Sequence, residues 1–177
     1  GGSARITAAP RASSGGWLSA SGQDVALQAD VALEQAATGG GSFVSFGARN
    51  LGATRYNGQL SFASNGSVRL SLVTVANWNE TEKAAIMLPG TYAPGTVLTI
   101  RMEVTGTGTT TLRAKAWVKG TPEPADWMIT ATDTTASLQT AGGVDTEIYQ
   151  SGSATTPNTY RLDNLWVGRA GEIPPGV

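Results

Sequence analysis

The chain has neither cysteine nor histidine. Without cysteine there is no disulfide, no thiolate metal site and no thiol nucleophile. Without histidine the usual general base near neutral pH and the commonest zinc ligand are both missing, and a Ser-His-Asp triad is impossible. Charge is scarce as well: Asp, Glu, Lys and Arg make up 14% of the 177 residues, with a net charge of −1. No basic field exists to gather nucleic acid or anionic lipid. No apolar run approaches the roughly 18 residues of a membrane-spanning helix, so membrane insertion is not expected. Neither a G-x-S-x-G elbow nor a Walker loop occurs, and there is no internal repeat. No signal peptide is expected, and Gly1-Gly2-Ser3 reads as the start of a fragment or a tag remnant.

What is present is glycine, serine, threonine and alternation. Apolar residues reach 40%, and there are 23 glycines. That mixture suits a β-rich chain with many turns. In "DVALQADVAL" (24–33), Val25, Leu27, Ala29, Val31 and Leu33 share a face. In "TVLTIRMEV" (96–104), Leu98, Ile100, Met102 and Val104 point one way, and Thr99, Arg101 and Glu103 the other. In "TTLRAKAWV" (110–118), Leu112, Ala114, Ala116 and Val118 line one side, opposite Arg113, Lys115 and Trp117. Period two predicts strands with one buried and one wet face. Further strands are predicted at about 4–9, 42–49, 54–63, 67–75, 81–88, 128–132, 144–150 and 159–167.

Between them stand turn signals: Gly39-Gly40-Gly41, Pro89-Gly90, Pro94-Gly95, Gly106 with Gly108, Gly142-Gly143, and Asn65-Gly66 as the clearest hairpin. One short helical turn is predicted within Thr134–Gly142. The domain is expected to span 1–168, with 169–177 leaving through Pro174-Pro175 as a linker or tail. Eleven or so antiparallel strands with short turns predict an all-β fold, an antiparallel two-sheet jelly-roll sandwich, with a closed barrel as the alternative.

The second half carries a family likeness. "TLRAKAW", "GTPEPADWMITATDTTASLQTAGGV", "SGSAT" and "YRLDNLWVG" resemble a concanavalin A-like, laminin-G-like jelly-roll module of the lectin/glucanase type. Such modules occur in secreted proteins of high-GC Gram-positive bacteria and in minor tail proteins of their phages. The resemblance runs from about Asp24 to Gly168, and the usual first strand, ahead of "SARITAA", is expected to be missing. It implies a lectin-like sandwich that works outside a cell or on a virion. That work is glycan binding, attachment through tail or cell-surface protein partners, or, in the glucanase branch, hydrolysis. Fold alone does not choose among these.

Hydrolysis in that branch uses E-x-D-x-x-E on one strand. The nearest match is "DTEIYQ", where Asp145 and Glu147 share a face and the third carboxylate is absent. The chain is therefore read as no enzyme. A sugar site would combine an aromatic platform with residues that bond hydroxyls. The candidate face holds Trp117, Arg113, Lys115, Arg101 and Glu103, with Arg69, Glu147 and Tyr149 as extensions. The alternative is a cross-strand ladder of ion pairs. Trp127, after "PEPAD", is expected to plug a sandwich end. Trp166 suits core or rim, and Trp17 and Trp78 read as loop residues. Related sandwiches often hold a structural calcium through an aspartate in the last strand, which makes Asp163 the candidate ligand. The alternative is a turn cap or an arginine pair.

Overall fold

The alternation written into the sequence is realised as two antiparallel sheets in a computed structural model that describes residues 3–175. Gly1, Gly2, Gly176 and Val177 lie outside the described residues. The strands are β1 (Ala4–Ala8), β2 (Ser13–Gly22), β3 (Val25–Leu33), β4 (Ser42–Asn50), β5 (Arg55–Phe62), β6 (Val68–Ala76), β7 (Asn79–Met87), β8 (Leu98–Thr105), β9 (Thr110–Val118), β10 (Ile129–Asp133), β11 (Gly142–Gln150) and β12 (Asn158–Arg169). One 3-10 turn, Ala136–Leu138, sits inside the stretch predicted to be helical.

One sheet has the order β1-β12-β3-β8-β9-β10, and the other β2-β11-β4-β5-β6-β7. This is an antiparallel two-sheet sandwich of jelly-roll type. The core lies between the sheets. Leu27, Ala29, Val31, Leu98, Ile100, Met102, Leu112 and Ala114 come from the first sheet, and Val44, Phe46, Tyr56, Leu60, Leu70, Leu72 and Ile148 from the second. Each Val, Leu, Ile, Met or Phe among them contributes about 1.5–3 kcal/mol by leaving water. At Gly58 the second sheet packs tightly on the first: an added Cβ would meet Met102 Sδ at 3.0 Å.

Two polar clusters stitch the sheets at their ends. Arg49 is fully buried in a left-handed backbone conformation (φ 50°), so Ala48 and Arg49 both turn inward. Its guanidinium donates to the carbonyls of Gln23 (2.7 Å), Gly106 (2.7 Å) and Leu138 (2.9 Å), and to Thr110 Oγ1 (2.9 Å). Asp133 accepts from Tyr56 Oη (3.0 Å) and the Thr135 amide (2.8 Å), and pairs with Lys83 Nζ (2.9 Å). Burial acts to raise the Asp133 pKa, but the bonds from Lys83 and Thr135 win and hold it at about 2.

Two elements were not expected. β2 runs along β11 at the edge of the second sheet, so Trp17 stands on a strand rather than in a loop. Residues 170–173 fold back over the first sheet instead of leaving it: the Ala170 amide donates to Asp24 O (3.3 Å) and Gly171 N donates to Glu103 Oε1 (3.2 Å).

Candidate functional site

The register of β8 and β9 sets Arg101 opposite Lys115 and Glu103 opposite Arg113. These four face away from the core, as alternation requires, but the face they share is covered. After β9 the chain turns at Gly120, and its Pro-rich segment crosses the sheet. Lys115 Nζ donates to Pro124 O (2.7 Å) and pairs with Glu123 (2.7 Å). The Trp127 ring lies over Arg113 (4.8 Å), Lys115 (5.1 Å) and Arg101 (5.9 Å). Glu103 pairs with Arg113 at 2.6 Å, and Arg101 donates to the carbonyl of Glu172 (2.6 Å). Arg101, Glu103 and Lys115 are consequently buried.

Trp127 is therefore the lid of this outer face and not a plug at the sandwich end. Trp117 lies half-buried with Ile173 and Pro174 on the same side. Arg69, Glu147 and Tyr149 do not extend this surface: they belong to strands of the opposite sheet.

Asp163 pairs with Asp30 across β12 and β3. The Asp30 carboxylate accepts from Lys119 Nζ (2.5 Å), Thr99 Oγ1 (2.6 Å) and Asn164 Nδ2 (2.7 Å). Burial pushes the Asp30 pKa up, and these three bonds pull it below its usual value. Asp163 Oδ1 caps the amide of Asn164 at 2.8 Å. Among the described residues no three acidic side chains converge to hold a metal. Asp30, the register partner of Asp163, is thus already paired with the Lys119 ammonium.

The outer face of the second sheet is open. A cavity of about 470 Å³ is lined by Phe43, Ser45, Arg55, Gln59, Glu147 and Tyr149, with Trp78 and Glu80 on its rim. A second, of about 320 Å³, holds Trp17, Asn50 and Asp145 and shares Arg55, Trp78 and Glu147 with the first. Together they form one groove. Its waist is the Arg55–Glu147 ion pair at 2.7 Å. At one end Phe43 and Tyr149 tilt against each other with centroids 5.9 Å apart. At the other, Asp145 accepts from Asn50 Nδ2 at 2.7 Å. Asp145 lies over Gly47, where a Cβ would overlap its carboxylate. Burial, with Glu147 close by, raises the Asp145 pKa against the opposing bond from Asn50.

Trp78 marks this groove. It occupies the second central position of the two-residue hairpin that joins β6 to β7, because Ala76 and Asn79 pair directly. Asn77 and Trp78 both have positive φ, 51° and 65°. This is the type I′ geometry that normally selects Asn-Gly. A large side chain in the left-handed region costs roughly 1–2 kcal/mol. The ring is nevertheless 70% exposed and sits over the Arg55 guanidinium at 6.0 Å. Trp17, 65% exposed, stands beside Asp145 in the β2–β11 register. Asn57, between Arg55 and Gln59, is 1% exposed, and its Nδ2 has no partner.

The predicted site residues thus divide. Glu147 and Tyr149 line the groove, whereas Trp117, Arg113, Lys115, Arg101 and Glu103 lie on the opposite sheet. Arg55 and the turn geometry of Trp78 were missed. The available signal was an Asn-Trp pair where a hairpin tip calls for glycine.

No protein-family model and no curated protein matches the sequence. Solved structures do match in shape. The carbohydrate-binding module CBM66 of Bacillus subtilis aligns with a TM-score of 0.59 at 15% identity, covering 88% of this chain and 81% of that one. A functionally unknown protein from Saccharomyces cerevisiae aligns at 0.59 and 11%, covering 89% and 76%. The β-glucanase of Bacillus licheniformis aligns at 0.53 and 15%, covering 87% and 69%. At these identities the likeness is one of fold.

Proposed function

We propose that the chain is a non-catalytic carbohydrate-binding module acting outside a cell or on a virion, and that glycan lies in the groove across β11, β4 and β5. The observation that carries this reading is Trp78, a strained and exposed aromatic ring at a cavity that sets polar groups among aromatic ones. A flat ring beside Arg55, Gln59, Ser45 and Glu147 provides a stacking platform next to hydroxyl-bonding groups. Strain of this kind persists where it serves a site. The comparison with CBM66 supports the reading at the level of fold only.

Two features favour binding over hydrolysis. Glu147 is held by Arg55, and Asp145 is buried against Asn50. Gln150 stands at the end of the strand, and no further carboxylate follows on β11. The reading is tested by affinity electrophoresis against a panel of polysaccharides, with reducing-sugar release measured in parallel. Retardation by at least one polysaccharide without sugar release is expected. No retardation by any of them would count against glycan binding, and sugar release would make the groove an active site.

A second reading, attachment through protein partners, is favoured by Ile86 and Met87. Both are exposed on the edge strand β7. The unpaired edge of β7, apolar over its last four residues, suits strand addition by another protein.

A further inference from the structure

We infer that the groove selects its glycan by charge, favouring neutral and amino-sugar chains and rejecting uronic acid chains. This rests on the glycan-binding reading and assigns the chemical class of the ligand.

The groove carries more acid than base. Across its two cavities the lining residues include one cation, Arg55, and three carboxyl groups: Glu80, Glu147 and Asp145. The Arg55 charge is already paired: it is bonded to Glu147 at 2.7 Å and donates through Nε to Asn57 Oδ1 at 3.2 Å. The nearby charges do not change the balance. Arg69 is engaged by Glu82 on the same face at 2.5 Å, and Lys83 turns inward to Asp133. The groove is therefore negative whether or not Asp145 carries its proton.

A uronate carboxylate placed here would face two or three like charges with no unpaired cation to receive it. In a partly enclosed site such repulsion is weakly screened. Hydroxyl groups meet no such penalty, because carboxylates, Ser45 and Gln59 all accept from them. The ammonium of a 2-amino sugar gains from the same field. Beneath this surface, between Arg55 and Gln59, Asn57 Nδ2 is a buried neutral donor without a partner, so it adds no positive charge to the groove. The selection is built by excess acceptors, with Arg55 spent on holding Glu147.

The test uses glycan chains of several linkages, each prepared in neutral, amino and carboxylated forms, with affinities measured by calorimetry at low and high salt. Within any backbone that binds, the amino form should bind at least as tightly as the neutral form. The carboxylated form should bind roughly tenfold or more weakly. The gap should narrow with salt and with Glu80→Gln. A carboxylated chain binding as well as its neutral parent, with Trp78→Ala abolishing both, would overturn the charge selection and leave glycan binding standing. Failure of every chain to bind, whatever its charge, would overturn the glycan-binding reading and this inference with it.

Discussion

The Arg55 guanidinium lies 6.0 Å from the centre of the Trp78 ring while bonded to Glu147 at 2.7 Å. One side chain thus ties the hairpin tip to β11 on the far side of the groove. The contact is worth about 0.5–1 kcal/mol by itself, which is enough to bias the orientation of an exposed ring. Replacing Arg55 by alanine removes the support under Trp78 and leaves Glu147 and Asn57 without their donor. Polysaccharide affinity should fall roughly tenfold, and stability should fall by about 1–3 kcal/mol. Titration calorimetry and urea denaturation read the two effects separately. Arg55→Lys keeps the charge and loses the planar fork, so it should recover only part of the affinity.

The opposite sheet should behave as structure. Trp127 holds the Pro-rich segment over Arg101, Arg113 and Lys115. Trp127→Ala should cost about 1–3 kcal/mol through lost packing and three lost cation contacts, with polysaccharide affinity unchanged. Trp117→Ala should show the same pattern to a smaller degree. Loss of binding in either variant at full stability would move the site to this face.

Acid should act through Asp133. Its pKa in the folded protein is about 2, below the ordinary 3.8. Its contribution is therefore complete above pH 4 and is lost as pH falls toward 2. The stake is about 2 kcal/mol. Urea midpoints measured from pH 6 down to pH 2 should drop less steeply for Asp133→Asn than for the parent, and that variant should already be weaker at pH 6. Lys83→Met should produce a similar flattening.

The Asp30–Asp163 pair gives a metal test. Lys119 already neutralises Asp30 at 2.5 Å, so excess chelator should leave the melting temperature of the parent unchanged. Lys119→Met should lower it, and calcium should then restore part of the loss by mass action. A chelator-dependent drop in the parent would instead place a resident ion at Asp163.

Much of the fold was legible because β structure writes itself locally. The alternation in 24–33, 96–104 and 110–118 fixed both the strands and their buried faces, and β9 has the predicted bounds Thr110–Val118. Arg113, Lys115 and Trp117 oppose Leu112, Ala114 and Ala116 for the same reason. What covers a face is not local information. Nothing in "GTPEPADW" announces that Trp127 lies across three cations of β8 and β9, and sheet membership of Glu147 and Tyr149 depends on the order in which strands pair. β2 was missed because "SSGGWLSASG" has weak strand propensity and gains its order from pairing with β11 at a sheet edge. Trp78 was read as an exposed loop residue, and it is exposed. Its left-handed backbone, which makes it informative, follows from the direct pairing of Ala76 with Asn79.

The most direct measurement is polysaccharide affinity and thermal stability for Trp78→Gly. Glycine is the residue this I′ turn prefers, so the substitution relieves backbone strain while removing the ring. Stability should stay within about 1 kcal/mol of the parent, because strain relief offsets the lost contact with Arg55. Affinity should fall below detection. A Trp78→Gly protein that keeps both its stability and its full affinity would contradict the placement of glycan in this groove.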